Sequence, residues 1–437
     1  MLDHILKLNT VILSVYMSYP CHNNIYKIEF IFIIFYYKMT ITIKFNDNIE
    51  YTYNSFEEIL KLDNYNEIIY INCRNNRLPN LPKLPNLLTE LVCYNNSLSS
   101  LPELPHSLTI LKCDCNKLSS LPELPNSLII LKCENNRLSS LLKLPNSLTH
   151  LWCYNNNLSN LPELPNSLIE LCCRNNNISS LPELSNSLID LRCSNNKIYS
   201  LPELPNSLIR LECYSNSLSS IPELPNSLTH LYCGNNYGLS NLPELSNSLI
   251  NLYCHNNNLY CLPKLPNSLK ELLCFNNYMS CLPELPNSLI ELRCSNNKIS
   301  CLPELPNSLK RLWCGNNKLS ILPELPNSLK ELKCNNNNLL RLPKIPNSLT
   351  GLDCYYNNIH SLPELPEFIY FRYFHNPICE YIDYYFNGER TKYYEHQYYM
   401  HRKFINKIEN WYLDCKYNPK YLYCRKRLMK EYGELYG

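Results

Sequence analysis

The chain has 437 residues, and its 40 lysines and arginines against 38 aspartates and glutamates give a formal net charge of +2. This near-neutral balance excludes the strong basic field by which proteins bind nucleic acid or anionic membranes non-specifically. The length alone would indicate two or three domains. The 24 cysteines would indicate a disulfide framework if the chain were secreted.

Residues 1–38 contain two apolar stretches, 8–19 and 28–37. Neither reaches the roughly 20 residues that a transmembrane helix needs. The first stretch could be a short signal peptide, but no small-x-small cleavage site follows it. A regular alternating pattern follows Met39, which could itself be the first residue, so we interpret residues 1–38 as a doubtful N-terminal extension.

Residues 39–67 have the pattern of an N-terminal cap. Apolar and polar residues alternate over 40–45 and 50–53, which predicts a β-hairpin. Ser55 is placed to cap a short helix over 56–62, with Glu57 and Glu58 in its first turn. We expect this segment to cover the exposed edge of the first repeat.

Residues 68–378 repeat with a period of about twenty residues, which is typical of a solenoid. Each copy contains the pattern LxxLxCxxNxL, as in Leu168, Leu171, Cys173, Asn176 and Ile178. Fifteen copies follow this pattern, and a sixteenth, degenerate copy ends at residue 378. A single copy buries too little apolar surface to fold alone, so we expect the copies to stack.

Each position of the repeat has a physical role. Period-two spacing predicts a short strand in which Leu171 and Cys173 face the core. Asn176 is expected to satisfy backbone groups of its own coil and the next one. Pro162 and Pro165 favour an extended, polyproline-like return limb over a helix.

These motifs resemble the leucine-rich repeat family, in particular the short LPxLP class of bacterial effector proteins. The resemblance covers roughly residues 68–378 and implies a horseshoe-shaped solenoid, with a parallel β-sheet on its concave face and extended return limbs on its convex face. Effectors of this class often carry a ubiquitin-ligase domain with a catalytic Cys followed two residues later by Asp. Here Lys416 and Tyr417 follow Cys415, so that activity is not carried over.

The composition suggests a source for the chain. Alanine is absent, and Asn, Ile, Tyr and Lys are abundant, which indicates a genome rich in A and T. Together with the repeat pattern, this composition resembles the leucine-rich repeat proteins of giant, mimivirus-type viruses.

Fifteen cysteines occupy the inward strand position, where a free thiol acts as a small apolar side chain. We expect them to be reduced, which favours the cytoplasm, and the host cell's cytoplasm if the chain is viral. Cys261, Cys281 and Cys301 form a second column. It could be a metal or redox site, although substitution of the usual Ser explains it more simply because no His joins the column.

Outward strand positions vary from copy to copy and are therefore the candidate recognition residues. Trp, Tyr and Arg are enriched at binding hot spots. The candidate ligand-binding residues are Arg210, Tyr214, Tyr232, Tyr253, Phe275, Arg293, Arg311 and Trp313, with Trp152 and Tyr154 as a separate spot. Compositional drift toward Tyr and Phe is the competing explanation.

Residues 379–437 are rich in Tyr, Lys and Arg, and their apolar spacing predicts a helical C-terminal cap or module. A second helix is expected over 420–435. His396, His401, Cys415 and Cys424 do not follow a standard zinc spacing, so we expect no metal.

No phosphate loop or nucleophile–base set is present, so we expect neither catalysis nor a cofactor. The leading hypothesis is a monomeric protein–protein interaction scaffold that binds a host or viral protein on its concave face. The alternatives are a ubiquitin-pathway adaptor or enzyme subunit acting through the C-terminal tail, and a structural component of a virion. Nucleic acid and membrane are not expected as partners.

Overall fold

The computed structural model describes the backbone of residues 10–21, 24–35, 39–366, 369–386 and 392, and the side chains of residues 39–366, 369–383 and 392. The chain divides after Met279 into two compact units, residues 1–279 and 280–437. Each unit is built from the same repeat and is described in turn.

The first unit begins with two long strands, β1 (Thr10–Cys21) and β2 (Asn24–Phe35). They pair antiparallel along their whole length, from Thr10 opposite Phe35 to Cys21 opposite Asn24. The two apolar stretches of this region therefore contribute to one hairpin. Among the residues that the structure describes, no helix is long and apolar enough to cross a membrane.

A second hairpin follows, as the alternating pattern predicts. It consists of β3 (Ile41–Lys44) and β4 (Glu50–Tyr53), which pair antiparallel. Helix α1 (Phe56–Ile59) is three residues shorter than predicted, and a 3-10 helix at Tyr65–Glu67 follows it. The Ser55 hydroxyl caps α1 by accepting a hydrogen bond from the Glu58 N–H at 3.3 Å. Strand β3 also pairs antiparallel with the first repeat strand and occupies its outer edge.

Eleven short repeat strands make up the rest of the first unit. They are β5 (Tyr70–Asn72), β6 (Glu90–Val92), β7 (Ile110–Lys112), β8 (Ile130–Lys132), β9 (His150–Trp152), β10 (Glu170–Cys172), β11 (Asp190–Arg192), β12 (Arg210–Glu212), β13 (His230–Tyr232), β14 (Asn251–Tyr253) and β15 (Glu271–Leu273). Each pairs parallel with the next, and equivalent positions face each other, as Leu171 faces Leu191.

The second unit continues the same repeat. Its strands are β16 (Glu291–Arg293), β17 (Arg311–Trp313), β18 (Glu331–Lys333), β19 (Gly351–Asp353) and β20 (Tyr370–Arg372), again parallel and in register. Helix α2 (Pro377–Phe386) follows. The predicted helix at 420–435 and the residues His396, His401, Cys415 and Cys424 lie outside the described residues. The parallel-strand solenoid predicted from the repeat is confirmed in both units.

The core of each unit consists of the inward repeat positions. In the coil around β10, Leu168, Leu171, Cys173 and Ile178 are fully buried. All fifteen cysteines at the inward strand position are buried and free. Because every coil buries its apolar side chains against its two neighbours, stacking supplies the apolar contacts that one coil lacks.

The repeat asparagine joins each coil to the coil before it. The Asn176 amide nitrogen donates to the carbonyl oxygens of Cys173 at 3.0 Å and Cys153 at 3.1 Å. Its side-chain oxygen accepts the Leu158 N–H at 3.0 Å. The expected bonding within the coil is present, but the neighbour is the preceding coil. These bonds satisfy backbone groups where the sheet ladder has ended.

Two further repeat positions stabilise the return limbs. The Leu168 N–H donates to the Pro165 carbonyl oxygen at 3.0 Å and closes a turn. The Ser167 hydroxyl lies 2.7 Å from the Asn146 and Leu148 carbonyl oxygens of the preceding coil. The return limb is thus extended and held from coil to coil by side-chain hydroxyls, without helix.

The residue before each core asparagine has a left-handed backbone. In all sixteen coils its φ lies between 52° and 60°. Asn tolerates this region better than other residues with a β-carbon. Twelve of the sixteen are Asn, and the exceptions are Cys115, Ser215, Tyr356 and His375.

Candidate protein-interaction surface

Three side chains per coil form what we call the sheet face: the two that flank the buried strand leucine, and the residue after the buried cysteine. In the coil around β10 they are Glu170, Cys172 and Arg174. All ten predicted recognition residues lie at such positions. Nine of them are half-buried, and Arg311 is exposed.

A network of charged side chains lies on the sheet face of β11 and β12. Arg192 Nη2 is 2.7 Å from Asp190 Oδ2, and Arg192 Nε is 4.0 Å from Glu212 Oε1. Arg210 Nη2 lies 2.6 Å from the same Glu212 oxygen. Glu212 is 7% exposed, so the guanidinium groups stabilise a largely desolvated carboxylate.

This network continues into aromatic side chains on β13 and β14. The Arg210 guanidinium lies 4.9 Å from the centre of the Tyr232 ring, and the Tyr232 and Tyr253 ring centres are 4.6 Å apart. The Tyr253 hydroxyl donates to Glu271 Oε2 at 2.5 Å. Burial raises the pKa of the Tyr232 hydroxyl. The structure therefore brings together three of the predicted residues, Arg210, Tyr232 and Tyr253.

Phe275 has a different partner. It stacks on His255 with ring centres 4.5 Å apart and an interplanar angle of 14°. The His255 ring lies close to Gly234, where a β-carbon would come within 2.8 Å of it. Burial lowers the pKa of His255. Tyr214 is half-buried in the coil of Arg210.

Trp152 and Tyr154 form a separate spot, as predicted. The Trp152 indole N–H donates to Glu170 Oε1 at 2.7 Å. The Lys132 ammonium lies 3.5 Å from the centre of the Trp152 ring, and the Arg174 guanidinium 4.7 Å from that of Tyr154. Each aromatic ring is therefore fixed by a cation from a neighbouring coil.

Two carboxylates precede this spot in neighbouring coils. Lys112 on β7 faces Lys132 on β8, so Asp114 and Glu134 occupy equivalent positions two residues later. Glu134 is 8% exposed, and its Oε2 atom is buried without a hydrogen-bond partner. The pKa of Glu134 is raised to about 7, mainly by burial and also by the nearby Asp114, while hydrogen bonds from the backbone and Tyr154 and the charge of Lys132 oppose the shift.

In the second unit, Trp313 is the centre of a cluster. The Arg293 guanidinium lies 3.8 Å and the Lys333 ammonium 3.7 Å from the centre of its ring. Glu291 pairs with Arg293 at 2.5 Å and with Arg311 at 2.8 Å. Arg293, Arg311 and Trp313 are therefore neighbours, and Glu291 holds the two guanidinium groups.

Several members of these clusters were not predicted from the sequence. Lys132, Glu212, Glu291 and Lys333 each contact a predicted residue. The signal that could have found them is the period itself, because residues twenty positions apart are neighbours in an in-register solenoid. Lys132 and Trp152, and Trp313 and Lys333, are such pairs.

The return limbs carry grooves of their own. One, with a volume of about 1050 Å³, is lined by the exposed carboxylates of Glu163, Glu183 and Glu203 and by the half-buried Leu164, Leu184 and Leu204. Among the residues that the structure describes, no group of three or more His, Cys, Asp or Glu residues could hold a metal ion. Cys261, Cys281 and Cys301 are exposed, free thiols.

The fold and the repeat define a leucine-rich repeat solenoid. No protein-family model and no curated protein matches the sequence. Several solved structures do. YopM from Yersinia enterocolitica is 37% identical over 70% of this chain and 72% of its own, with a TM-score of 0.63. YopM from Yersinia pestis, described as a leucine-rich effector protein, is 40% identical over 68% of this chain and 86% of its own, with a TM-score of 0.62.

A third solved structure is also similar. The functional domain of InlJ from Listeria monocytogenes, described as including a cysteine ladder, is 26% identical over 67% of this chain and 69% of its own, with a TM-score of 0.56. The chain belongs to the leucine-rich repeat family, and its structural neighbours include leucine-rich repeat proteins of the bacterial-effector type. The resemblance to giant-virus proteins stays a prediction.

Proposed function

We propose that this protein is a non-catalytic scaffold that binds a host or viral protein through its sheet face. The observation that carries the proposal is the contact of Arg210, Tyr232 and Tyr253 with one another. Arg210 is anchored to Glu212 at 2.6 Å, and Tyr253 to Glu271 at 2.5 Å. These are the residue types that dominate binding energies at protein interfaces.

Preorganisation explains why such a cluster would suit recognition. An interface side chain that is free in solution loses about 0.5–1.5 kcal/mol of rotamer entropy when a partner immobilises it. Here Tyr232 is held between the Arg210 guanidinium and the Tyr253 ring before any partner arrives. Binding would therefore lose less side-chain entropy than it would on a surface whose side chains are mobile.

The Trp313 cluster in the second unit supports the same use of the sheet face. Arg293 and Lys333 lie against its ring, and Glu291 holds Arg293 and Arg311. The structural neighbours also favour a scaffold, because YopM is described as an effector protein built of leucine-rich repeats.

The experiment compares two double variants of the full chain. Tyr232→Ala with Tyr253→Ala removes the aromatic pair, and Glu183→Ala with Glu203→Ala removes two exposed carboxylates from the return limbs. After a partner has been identified by affinity capture from host lysate, its Kd is measured for each variant. One hot-spot truncation costs about 2 kcal/mol or more. The two rings are in contact, so their losses need not add, and the double variant should bind at least about 30-fold more weakly.

The return-limb variant should bind like the wild type. If both variants lose affinity equally, or if only the return-limb variant loses affinity, the binding site is not on the sheet face. A chain that ends after Phe386 provides a second control. If it no longer binds the partner, recognition depends on the C-terminal tail, and the adaptor hypothesis replaces the scaffold.

A further inference from the structure

Two exposed thiols lie in successive coils of the second unit. Cys281 and Cys301 are twenty residues apart and occupy the same position of the repeat, which serine commonly fills in other coils. Both thiols are exposed and free. Neither belongs to the sheet face or to the buried cysteine column, so the scaffold role does not account for them.

The backbone fixes the distance between these two residues. The Ser300 N–H donates to the Ser280 carbonyl oxygen at 3.3 Å, and each of these serines directly precedes one of the two cysteines. The residue that follows each cysteine is an inward leucine: Leu282 is buried, and Leu302 is half-buried. Each cysteine is therefore held between a hydrogen bond that joins the coils and a side chain that faces the core.

The spacing of the coils suits a disulfide bridge. Strands joined by backbone hydrogen bonds lie about 4.8 Å apart, and bridged cysteines have Cα atoms about 4.4–6.8 Å apart. Their Cβ atoms lie about 3.5–4.5 Å apart, so the two residues must approach by only a few tenths of an ångström. Because Cys281 and Cys301 are exposed, either side chain can rotate toward the other without leaving a packed core.

We propose that Cys281 and Cys301 form a dithiol site that a low-molecular-weight disulfide, such as oxidised glutathione, converts to a disulfide bridge between the two coils. This inference does not depend on the proposed function. A metal ion fits the thiols less well, because no group of three or more His, Cys, Asp or Glu residues in the described part of the chain could hold one.

The reaction consists of two thiol–disulfide exchanges. In the first, the thiolate of one cysteine attacks a sulfur of oxidised glutathione, forms a mixed disulfide and releases one glutathione thiolate. In the second, the thiolate of the other cysteine attacks the protein sulfur of the mixed disulfide and releases the second glutathione. The two protein thiols are oxidised, oxidised glutathione is reduced, and the two protons pass to the two glutathione thiolates.

The experiment uses the full chain with Cys261→Ser, which leaves one pair in the exposed column and introduces the residue common at that position. The protein is equilibrated with reduced and oxidised glutathione, and remaining thiols are then blocked with N-ethylmaleimide. Trypsin places Cys301 on the peptide 299–310 and Cys281 on the peptide 271–293. The bridge is detected as a cross-link between these peptides, and fragmentation distinguishes Cys281 from the buried Cys274 on the same peptide.

Cys115 supplies a reference in the same sample. It is exposed, and the same position in the neighbouring coils is Asn95 and Asn135. With about 1 mM reduced glutathione, such an isolated thiol is half-converted to a mixed disulfide at about 1 mM oxidised glutathione. Two thiols with an effective concentration of about 10 mM are half-bridged at about 0.1 mM. We therefore expect the bridge at a concentration of oxidised glutathione about ten-fold lower than the one that modifies Cys115.

Cys301→Ser in the same background is the matched control. It should abolish the cross-link and leave Cys281 with a bound glutathione at the concentrations that modify Cys115. The inference is wrong if Cys281 and Cys301 accumulate mixed disulfides like Cys115 without a cross-link. It is also wrong if the cross-link joins Cys274 instead of Cys281, or if it appears only after denaturant is added.

Discussion

The amide nitrogen of Asn176 donates a hydrogen bond to the carbonyl oxygen of Cys153, in the preceding coil, at 3.1 Å. The same contact recurs along the first unit, as between Asn196 and Cys173 at 3.0 Å. Most of these asparagines also accept a backbone N–H of the preceding coil, as Asn176 does from Leu158. The asparagine column thus provides structural hydrogen bonds between neighbouring coils.

Replacing Asn176 with Ala should therefore destabilise the first unit. The Leu158 N–H would lose its acceptor in a buried position, which costs about 1–3 kcal/mol, and the bonds to two carbonyl oxygens would be lost as well. Urea unfolding followed by circular dichroism should show a lower midpoint. Asn166→Ala, at an exposed position of the return limb, is the control and should change the midpoint little. A similar midpoint for both variants would contradict the structural role.

Cys115→Asn should stabilise the protein. Cys115 has a φ of 53°, which is unfavourable for most side chains and better tolerated by Asn. An asparagine here would also extend the side-chain ladder seen where Asn155 donates to Asn135 at 2.6 Å. We expect a gain of about 1 kcal/mol in the free energy of unfolding.

Cys115→Ser is the matched control for this change, because it removes the thiol without adding an amide. Comparing the thermal unfolding of the two variants separates the effect of losing the thiol from the effect of gaining the amide. If Cys115→Asn melts at or below the temperature of Cys115→Ser, the left-handed backbone is not what limits stability at this position.

Alkylation should distinguish two classes of cysteine. Burial raises the pKa of Cys193 to about 12, so at pH 8 only about one thiol in ten thousand is ionised. Burial raises the pKa of the Cys173 thiol in the same way. Cys115, Cys261, Cys281 and Cys301 are exposed. Peptide-resolved mass spectrometry should show rapid labelling of these four and slow labelling of the buried column until denaturant is added.

Rapid native labelling of most of the buried column would contradict the assignment of these thiols to the core. Bridges between adjacent cysteines of this buried column would contradict it as well. Exposed Cys261 supplies an internal reference for reagent activity in the same sample.

The stability of the first unit should depend on the protonation of Glu134. Folding raises its pKa from an ordinary value of 4.5 to about 7, so the folded state binds this proton more tightly. The free energy of unfolding should therefore decrease as the pH rises from about 4.5 through about 7, because the buried Glu134 must then ionise. Glu134→Gln should be more stable than the wild type at pH 8, by about 1–3 kcal/mol, and no more stable at pH 4.

Urea unfolding at pH 4 and pH 8 tests the sign of this pH dependence. Glu90→Gln is the control: Glu90 pairs with Lys112 at 2.8 Å, so its removal should not stabilise the chain at pH 8. A wild type whose stability rises between pH 5 and pH 8 relative to Glu134→Gln would contradict the desolvation of this carboxylate.

Much of the core could be predicted from the repeat because burial follows from spacing. Leu171 and Cys173 were expected to face inward, and both are fully buried. The hairpin of β3 and β4 followed from alternation, and the Ser55 cap from its position before two glutamates. The β1–β2 hairpin was not predicted, because uniformly apolar stretches do not reveal a period of two.

The sequence by itself determined the solenoid, the inward columns and the candidates for recognition, since a strict period of about twenty residues repeats the same environment at each position. It did not determine how outward side chains pair. The tertiary structure decided that Arg293 and Lys333 lie against Trp313 and that Tyr232 contacts Arg210 and Tyr253. It also decided that one carboxylate oxygen of Glu134, Oε2, is buried without a hydrogen-bond partner. The physical reason is that the period specifies which positions are adjacent, whereas rotamers, local charge and access to water depend on the particular side chains in neighbouring coils.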